Sequence, residues 1–287
     1  MSITLRIVFL GLLAHTSYSQ PSVTVTRSFT TDSLGACQGV SCLNEKVYLY
    51  GDREVGMIRE YDWIDGSLRY TNREVRLTQD GKDVINHPTG IAYRPDLPVF
   101  VGNSIRLNHE GTLWKAVIYA IDWEGLWKTG TLDGNLIQTI EDDACIQGTR
   151  PQYVEYQGKW VVATADYGSK NNEVRLYDPE RLKNASKTSE PGIVLKKFKC
   201  SPWVQNLHWI PEKRQLVLIQ NQMEGRKWRL TFLDFDRSVE QGSEVVLKVI
   251  DFNNADELEG FSILPQKNKG LIVTSSKALN THMVALE

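Results

Sequence analysis

The sequence predicts an all-β protein: a five-bladed β-propeller of four-stranded blades. Three observations predict it. The first is a repeated strand–turn–strand unit: GVSCLNEKVYLYGD from Gly39, GIAYRPDLPVFVGN from Gly90, YVEYQGKWVVATAD from Tyr153, NLHWIPEKRQLVLIQN from Asn206 and GFSILPQKNKGLIVTS from Gly260. The starts lie 51, 63, 53 and 54 residues apart. A self-similar strand unit of roughly fifty residues is the period of a propeller blade. The second is a third strand after each of four units, over residues 58–63, 117–123, 174–179 and 230–235. Each places Asp before an aromatic residue or Pro, where a strand gives way to a turn. Fourth strands are expected at 74–77, 135–140, 192–198 and 244–250.

The third observation is that the chain's ends complement each other. Residues 22–30, SVTVTRSFT, alternate in the strand manner but precede the first unit. After the fifth hairpin there remains one strand, residues 281–286. The N-terminal strand is therefore expected to serve as the outer strand of the last blade, closing the ring and removing exposed edges. Six blades is the alternative. It requires a cryptic unit in the 63-residue second repeat, where residues 103–115 offer spare loop without a sixth hairpin.

The 287 residues carry a net charge of −2, with 41% hydrophobic and 24% charged residues. That balance is ordinary for a globular chain. It supplies no basic face for nucleic acid. Residues 1–6 carry one positive charge, residues 7–14 (IVFLGLLA) form a short apolar core, and Ser17-Tyr18-Ser19 precedes Gln20. This is the layout of a secretory signal. Its apolar run is far short of the roughly 20 residues a membrane span needs. The expected organisation is a signal over residues 1–19 and one propeller over 20–287, secreted or periplasmic, with no membrane span in the mature chain.

Export permits disulfides. Cys37 and Cys42 are too far apart along an extended segment to bridge each other. Cys145 and Cys200 precede starts in neighbouring units and could meet in loops; four free thiols is the other reading. Asn184-Ala185-Ser186 is a glycosylation sequon, relevant if the host glycosylates.

Aligning the units exposes chemistry. The residue before each start is Gln38, Thr89, Gln152, Gln205 and Glu259; the residue closing each returning strand is Asp52, Asn103, Asp166, Asn221 and Ser275. A hairpin brings its beginning and end to the same edge, so ten polar positions are expected at one mouth of the channel. His87 and Arg150 lie two residues before the channel positions of their blades, at the rim. Alternate residues of the first strands are apolar (Val40 and Cys42, Ile91 and Tyr93, Val154 and Tyr156, Leu207 and Trp209, Phe261 and Ile263) and should pack between blades. The row between them is Ser41, Ala92, Glu155, His208 and Ser262, in which Glu155 and His208 are placed to pair. Trp114, Trp123 and Trp127 cluster in the second blade, where covering strand ends is their expected use.

Asp52, Asp166 and Glu259, with Asn103, are hard oxygen ligands of the kind that suits Ca²⁺ or Mg²⁺. The same three carboxylates are the best catalytic candidates. Gln38, Thr89, Asn103, Gln152, Gln205, Asn221, His87 and Arg150 suit hydrogen bonding to a sugar or an anion. The histidines, His15 and His109 among them, lack zinc spacing. No G-x-S-x-G elbow, P-loop or dinucleotide fingerprint occurs, so no nucleotide or organic cofactor is expected.

Gln38-Gly39-Val40, Thr89-Gly90-Ile91 and Glu259-Gly260-Phe261, each followed by a polar turn and an apolar strand ending in Asp or Asn, resemble the blade grammar of regucalcin/gluconolactonase-like and NHL-type propellers. In the gluconolactonase-like family, a channel Glu with Asn and Asp residues holds a divalent metal that polarises a lactone or ester carbonyl. The resemblance implies that role for Glu259, with Asn103 and Asp166 of suitable types. Five-bladed glycosidases of the arabinanase type also set three carboxylates around the channel, a trio that Asp52, Asp166 and Glu259 would mimic. The leading expectation is binding of a small polar ligand, sugar-like or anionic and with or without a divalent cation, at the channel mouth. The alternatives are a metal-dependent lactone or ester hydrolase and a protein-interaction platform.

Overall fold

The computed structural model describes residues 22–222, 225–254 and 256–287. The expected signal over residues 1–19 lies outside the described residues. Five four-stranded antiparallel sheets form the blades. Blade I holds β2 (Cys37–Leu43), β3 (Lys46–Gly51), β4 (Met57–Ile64) and β5 (Ser67–Arg76). A short ribbon, β6 (Thr78–Gln79) with β7 (Lys82–Asp83), leads to blade II: β8 (Pro88–Ala92), β9 (Val99–Arg106), β10 (Trp114–Ile121) and β11 (Leu136–Glu141). Blade III is β12 (Gln152–Tyr156), β13 (Lys159–Thr164), β14 (Glu173–Tyr177) and β15 (Val194–Lys199). Blade IV is β16 (Val204–Ile210), β17 (Gln215–Gln222), β18 (Lys227–Asp234) and β19 (Val246–Asp251). Blade V is β20 (Leu258–Ile263), β21 (Lys269–Thr274), β22 (Thr281–Leu286) and, as its outer strand, β1 (Val23–Phe29). Val23 pairs with Leu286 and Phe29 with Thr281, so the chain's two ends close the ring as expected. Residues 107–113 join β9 to β10, and the spare loop conceals no sixth blade.

Three of the four Asp–aromatic or Asp–Pro signatures do more than turn the chain. Asp122, Asp178 and Asp234 are N-caps of α1 (Trp123–Thr129), α2 (Pro179–Leu182) and α3 (Phe235–Gln241). Their carboxylates accept from Gly125 N, from Glu180 N and Arg181 N, and from Arg237 N, taking up amides a helix start leaves open. In blade I, Asp62 instead takes the Lys46 ammonium at 2.5 Å and the strand runs on.

The apolar rows fill the seams between blades. Val40 packs between blades V and I, Ile91 between I and II, Val154 and Leu207 between III and IV, and Phe261 between IV and V. Burying one such side chain contributes ~1.5–3 kcal/mol. Trp123 and Trp127 lie on Tyr48 of blade I with ring centroids 5.5 and 5.4 Å away, covering the seam with blade II. Trp114 sits apart, donating Nε1–H to Gly111 O at 2.7 Å. All four cysteines are free thiols. Arg175 donates to Cys145 Sγ at 3.1 Å. Asn184 is exposed after α2. No helix among the described residues is long and apolar enough to cross a membrane.

Candidate functional site

The inner strands deliver the channel residues by a repeated irregularity. The ladder slips by one residue between Cys37 and Gly39, Pro88 and Gly90, Val204 and Asn206, and Leu258 and Gly260. The residue inside each slip is Gln38, Thr89, Gln205 or Glu259. A bulge of this kind re-aims a side chain and often borders a functional site. Blade III keeps a regular register, with Gln152 opposite Ala163, and Gln152 is the more exposed member of the row.

Two residues earlier on each strand stands a rim row: Ala36, His87, Arg150, Trp203 and Glu257. Ala36, His87, Trp203 and Glu257 accept matching backbone bonds from Asp52, Ser104, Asn221 and Ser275. The sequence reading found His87 and Arg150. Trp203 and Glu257 occupy the same offset and were missed, although extending the offset to all five blades would have found them.

The floor of the mouth is Tyr50. Its ring passes over Gly39, where a β-carbon would fall 2.3 Å from the ring's Cε2, Cζ and hydroxyl oxygen. Its hydroxyl accepts from Asn206 Nδ2 of blade IV at 3.0 Å, reaching past blade V. Burial pushes the Tyr50 hydroxyl up to about 12, so it stays a neutral hydrogen-bonding group at ordinary pH. Below this bar lies the mixed row. The expected pair of Glu155 with His208 does not form. Glu155 faces Arg214 at 3.3 Å, whereas His208 turns toward blade V, taking Ile263 N–H at 3.4 Å and packing edge-on against Phe261 at 5.4 Å. The competing cation on the Glu155 side and the aromatic ring on the His208 side each offer the better partner. Burial lowers His208 to about 4.

The strand-closing residues are committed to the backbone. Asp166 accepts Ile146 N–H and Gln147 N–H, both at 2.9 Å. Asp52 accepts Ala36 N–H at 3.0 Å and Gln38 Nε2 at 3.3 Å, with His87 Nδ1 3.6 Å away. Asn103 accepts His87 N–H at 3.0 Å and donates to Val84 O at 3.4 Å. Asn221 links blades IV and V by accepting from Leu258 N at 2.8 Å and donating to Leu258 O at 3.3 Å. Thr89 is similarly engaged with Thr149 O.

Several of the other polar groups keep an open atom. Gln38 Oε1 and Arg150 Nη1 are buried without a partner. Among the described residues, no hydrogen bond reaches the Glu259 carboxyl, the Gln152 amide, the Tyr167 hydroxyl or the Trp203 Nε1–H. Glu259 is 4% exposed. Burial raises its carboxyl well above the ordinary 4.5; Glu257 and Asp52 add to this, and Arg150 and Arg226 oppose it. Burial favours the neutral form of such an acid, which can donate as well as accept. Arg150 is held by Gln205, donating Nε–H to its carbonyl at 3.2 Å and Nη2 to its Oε1 at 3.1 Å. Gln205 Nε2 donates to Glu257 Oε1 at 3.0 Å, and Arg226 pairs with Glu257 at 2.9 Å. This chain of contacts spans the mouth from blade III to blade V. Tyr167 lies 5.6 Å from the Arg150 guanidinium and 5.3 Å from Trp203, edge to face.

The sequence-predicted residues thus gather at one mouth but divide in role. Gln38, Gln152 and Glu259 present open groups. Arg150 and Gln205 bind each other while Arg150 keeps one open nitrogen. Asp52, Asn103, Asp166 and Asn221 hold backbone, and Ser275 closes blade V beside Glu257. Among the described residues, no three His, Cys, Asp or Glu side chains gather as a metal-holding group.

No family model matches the chain, and no curated protein matches it. Among solved structures, hydrazine synthase from Kuenenia stuttgartiensis is similar at a TM-score of 0.44 and 14% identity, covering 85% of this chain. The chain spans 57% of that protein's chain. The class is defined by the five sheets themselves: this is a β-propeller.

Proposed function

We propose that this β-propeller binds a small polar ligand at the mouth of its central channel. The observation that carries the reading is a pair of buried atoms without partners there, Gln38 Oε1 and Arg150 Nη1, at a mouth whose channel positions also hold the half-buried Gln152 and the buried Glu259 carboxyl. Buried polar groups are nearly always hydrogen-bonded, and a cluster without partners marks a place where something else supplies them. Four of the five strand-closing side chains meet their needs within the protein, which favours a hydrogen-bonded ligand over a cation held by several carboxylates. If the N-terminal signal is cleaved as its layout implies, the ligand is met outside the cytoplasm.

Thermal-shift and calorimetric titration with sugars, carboxylates, Ca²⁺ and Mg²⁺ tests the reading. A saturable response that Glu259→Ala weakens is the expected result. A response to none of the panel, or one indifferent to Glu259→Ala and Gln152→Ala alike, would falsify it.

A further inference from the structure

Trp203 is the most constrained residue of the rim. Its φ is +65°, in the left-handed region that bulky side chains rarely enter. Such a conformation carries a conformational cost and persists where the surroundings over-determine it. Here they do: Trp203 N donates to Gly168 O at 3.2 Å and Trp203 O accepts from Asn221 N at 3.2 Å. Asn221 is itself clamped to Leu258 of blade V. The fold therefore holds a half-buried indole at the mouth against a conformational cost, with Tyr167 braced edge-on beside it. Neither the Trp203 Nε1–H nor the Tyr167 hydroxyl has a partner among the described residues.

The surroundings narrow the ligand class. A cation would meet the Arg150 guanidinium already over Tyr167 at 5.6 Å, and Arg226 beside Glu257. An anion would meet the charges of Glu257 and Asp52, both of which reach the Glu259 carboxyl. An uncharged molecule meets neither objection. With an aromatic surface on one side and amide, hydroxyl and carboxyl groups on the other, the fitting molecule has one apolar face and several hydroxyls. We infer that the mouth binds a neutral sugar in its ring form, the C–H face against Trp203 and the hydroxyls toward Gln152, Tyr167 and Glu259. This inference rests on the channel-mouth reading above and adds the ligand's chemistry to it.

Saturation-transfer NMR on the full mature chain tests it, with neutral hexopyranoses, open-chain sorbitol, tetramethylammonium and acetate as probes. The expected result is saturable transfer to a hexopyranose and much weaker transfer to the other three. Trp203→Leu should weaken that binding about two- to thirteenfold, the range of an aromatic contact of ~0.5–1.5 kcal/mol at about 1.4 kcal/mol per tenfold, while Trp203→Phe retains most of it. Should Trp203→Leu fail to fold, Tyr167→Leu carries the same expectation. Hexose binding that neither variant alters would overturn the aromatic platform. Saturable binding of acetate or tetramethylammonium alone, sensitive to Glu259→Ala, would overturn the sugar and leave the mouth standing. Binding of no probe would sink both readings.

Discussion

Two rows of polar residues meet at the channel mouth, and they behave differently. The row that closes the second strands is turned inward on the protein. Asp166 holds two amides of the 146–147 loop, Asn103 and Asp52 each hold the amide at the rim, and Asn221 ties blade IV to blade V. The row that opens the first strands is displaced by bulges in four blades; Gln38 Oε1 is buried there without a partner, and among the described residues no hydrogen bond reaches the side chains of Gln152 or Glu259. Residue type does not distinguish the rows, since both are acids and amides. Hydrogen-bond satisfaction does: the closing row is architecture, and the opening row, apart from Thr89 and Gln205, keeps groups the protein does not use.

The largest expected effect comes from the closing row. Asp166→Ala removes the acceptor of two amide bonds, and hydrogen bonds to an ionised group contribute ~1.5–3 kcal/mol each. Urea unfolding should show a loss of about 3 kcal/mol; a loss below about 0.5 kcal/mol would erase the distinction. Next is the floor. Gly39→Ala places a methyl group 2.3 Å from the hydroxyl edge of the Tyr50 ring, so the ring must shift from its contact with Asn206. Overpacking of this kind costs about 1–3 kcal/mol, and the same unfolding assay reads it.

Glu259→Gln should act in the opposite direction. With its folded pKa raised, Glu259 keeps a proton that the unfolded chain releases above its ordinary 4.5. Native stability therefore falls as pH rises past that value. The glutamine variant should be the more stable protein at pH 7, with the gap closing below about pH 4.5. Equal melting temperatures across pH 4–8 would contradict a buried, unpaired acid.

His208, beyond the Tyr50 bar, has the reverse sign. Its ordinary value is 6.5 and its folded value about 4, so the unfolded chain takes up a proton first. Stability present above 6.5 is lost as pH falls toward 4. His208→Gln should flatten that part of the pH–stability curve. The smallest effect belongs to the opening row: Gln152→Ala should change stability by no more than about 0.5 kcal/mol, because its amide holds nothing in the protein. A loss comparable to that of Asp166→Ala would place Gln152 among the architectural residues.

Most of the architecture was legible in sequence because a propeller repeats its instructions. The fifty-residue period, the Asp that closes the third strand in blades II, III and IV and the spare strand at each terminus all survive into the sheets. The helices after Asp122, Asp178 and Asp234 were not, because a residue that turns a strand and one that caps a helix carry the same carboxylate. The site was half legible. Spacing alone gathered Gln38, Arg150 and Glu259 at one mouth. It could not show that Asp166 is occupied by the amides of Ile146 and Gln147, which lie about twenty residues away and belong to a loop without a pattern. Nor could it show the rim tryptophan, whose φ of +65° is set by contacts with Gly168 and Asn221 rather than by its neighbours in sequence.

The most direct test of the division between the two rows is a crystal structure of the protein soaked in a hexopyranose at high concentration. The account predicts a sugar ring at the mouth, within hydrogen-bond distance of Glu259 and Gln152 and against Trp203, with Asp166 still on the 146–147 amides. A mouth holding ordered water alone while sugar occupies another surface, such as the groove beside Phe232 and Leu286 between blades IV and V, would contradict it.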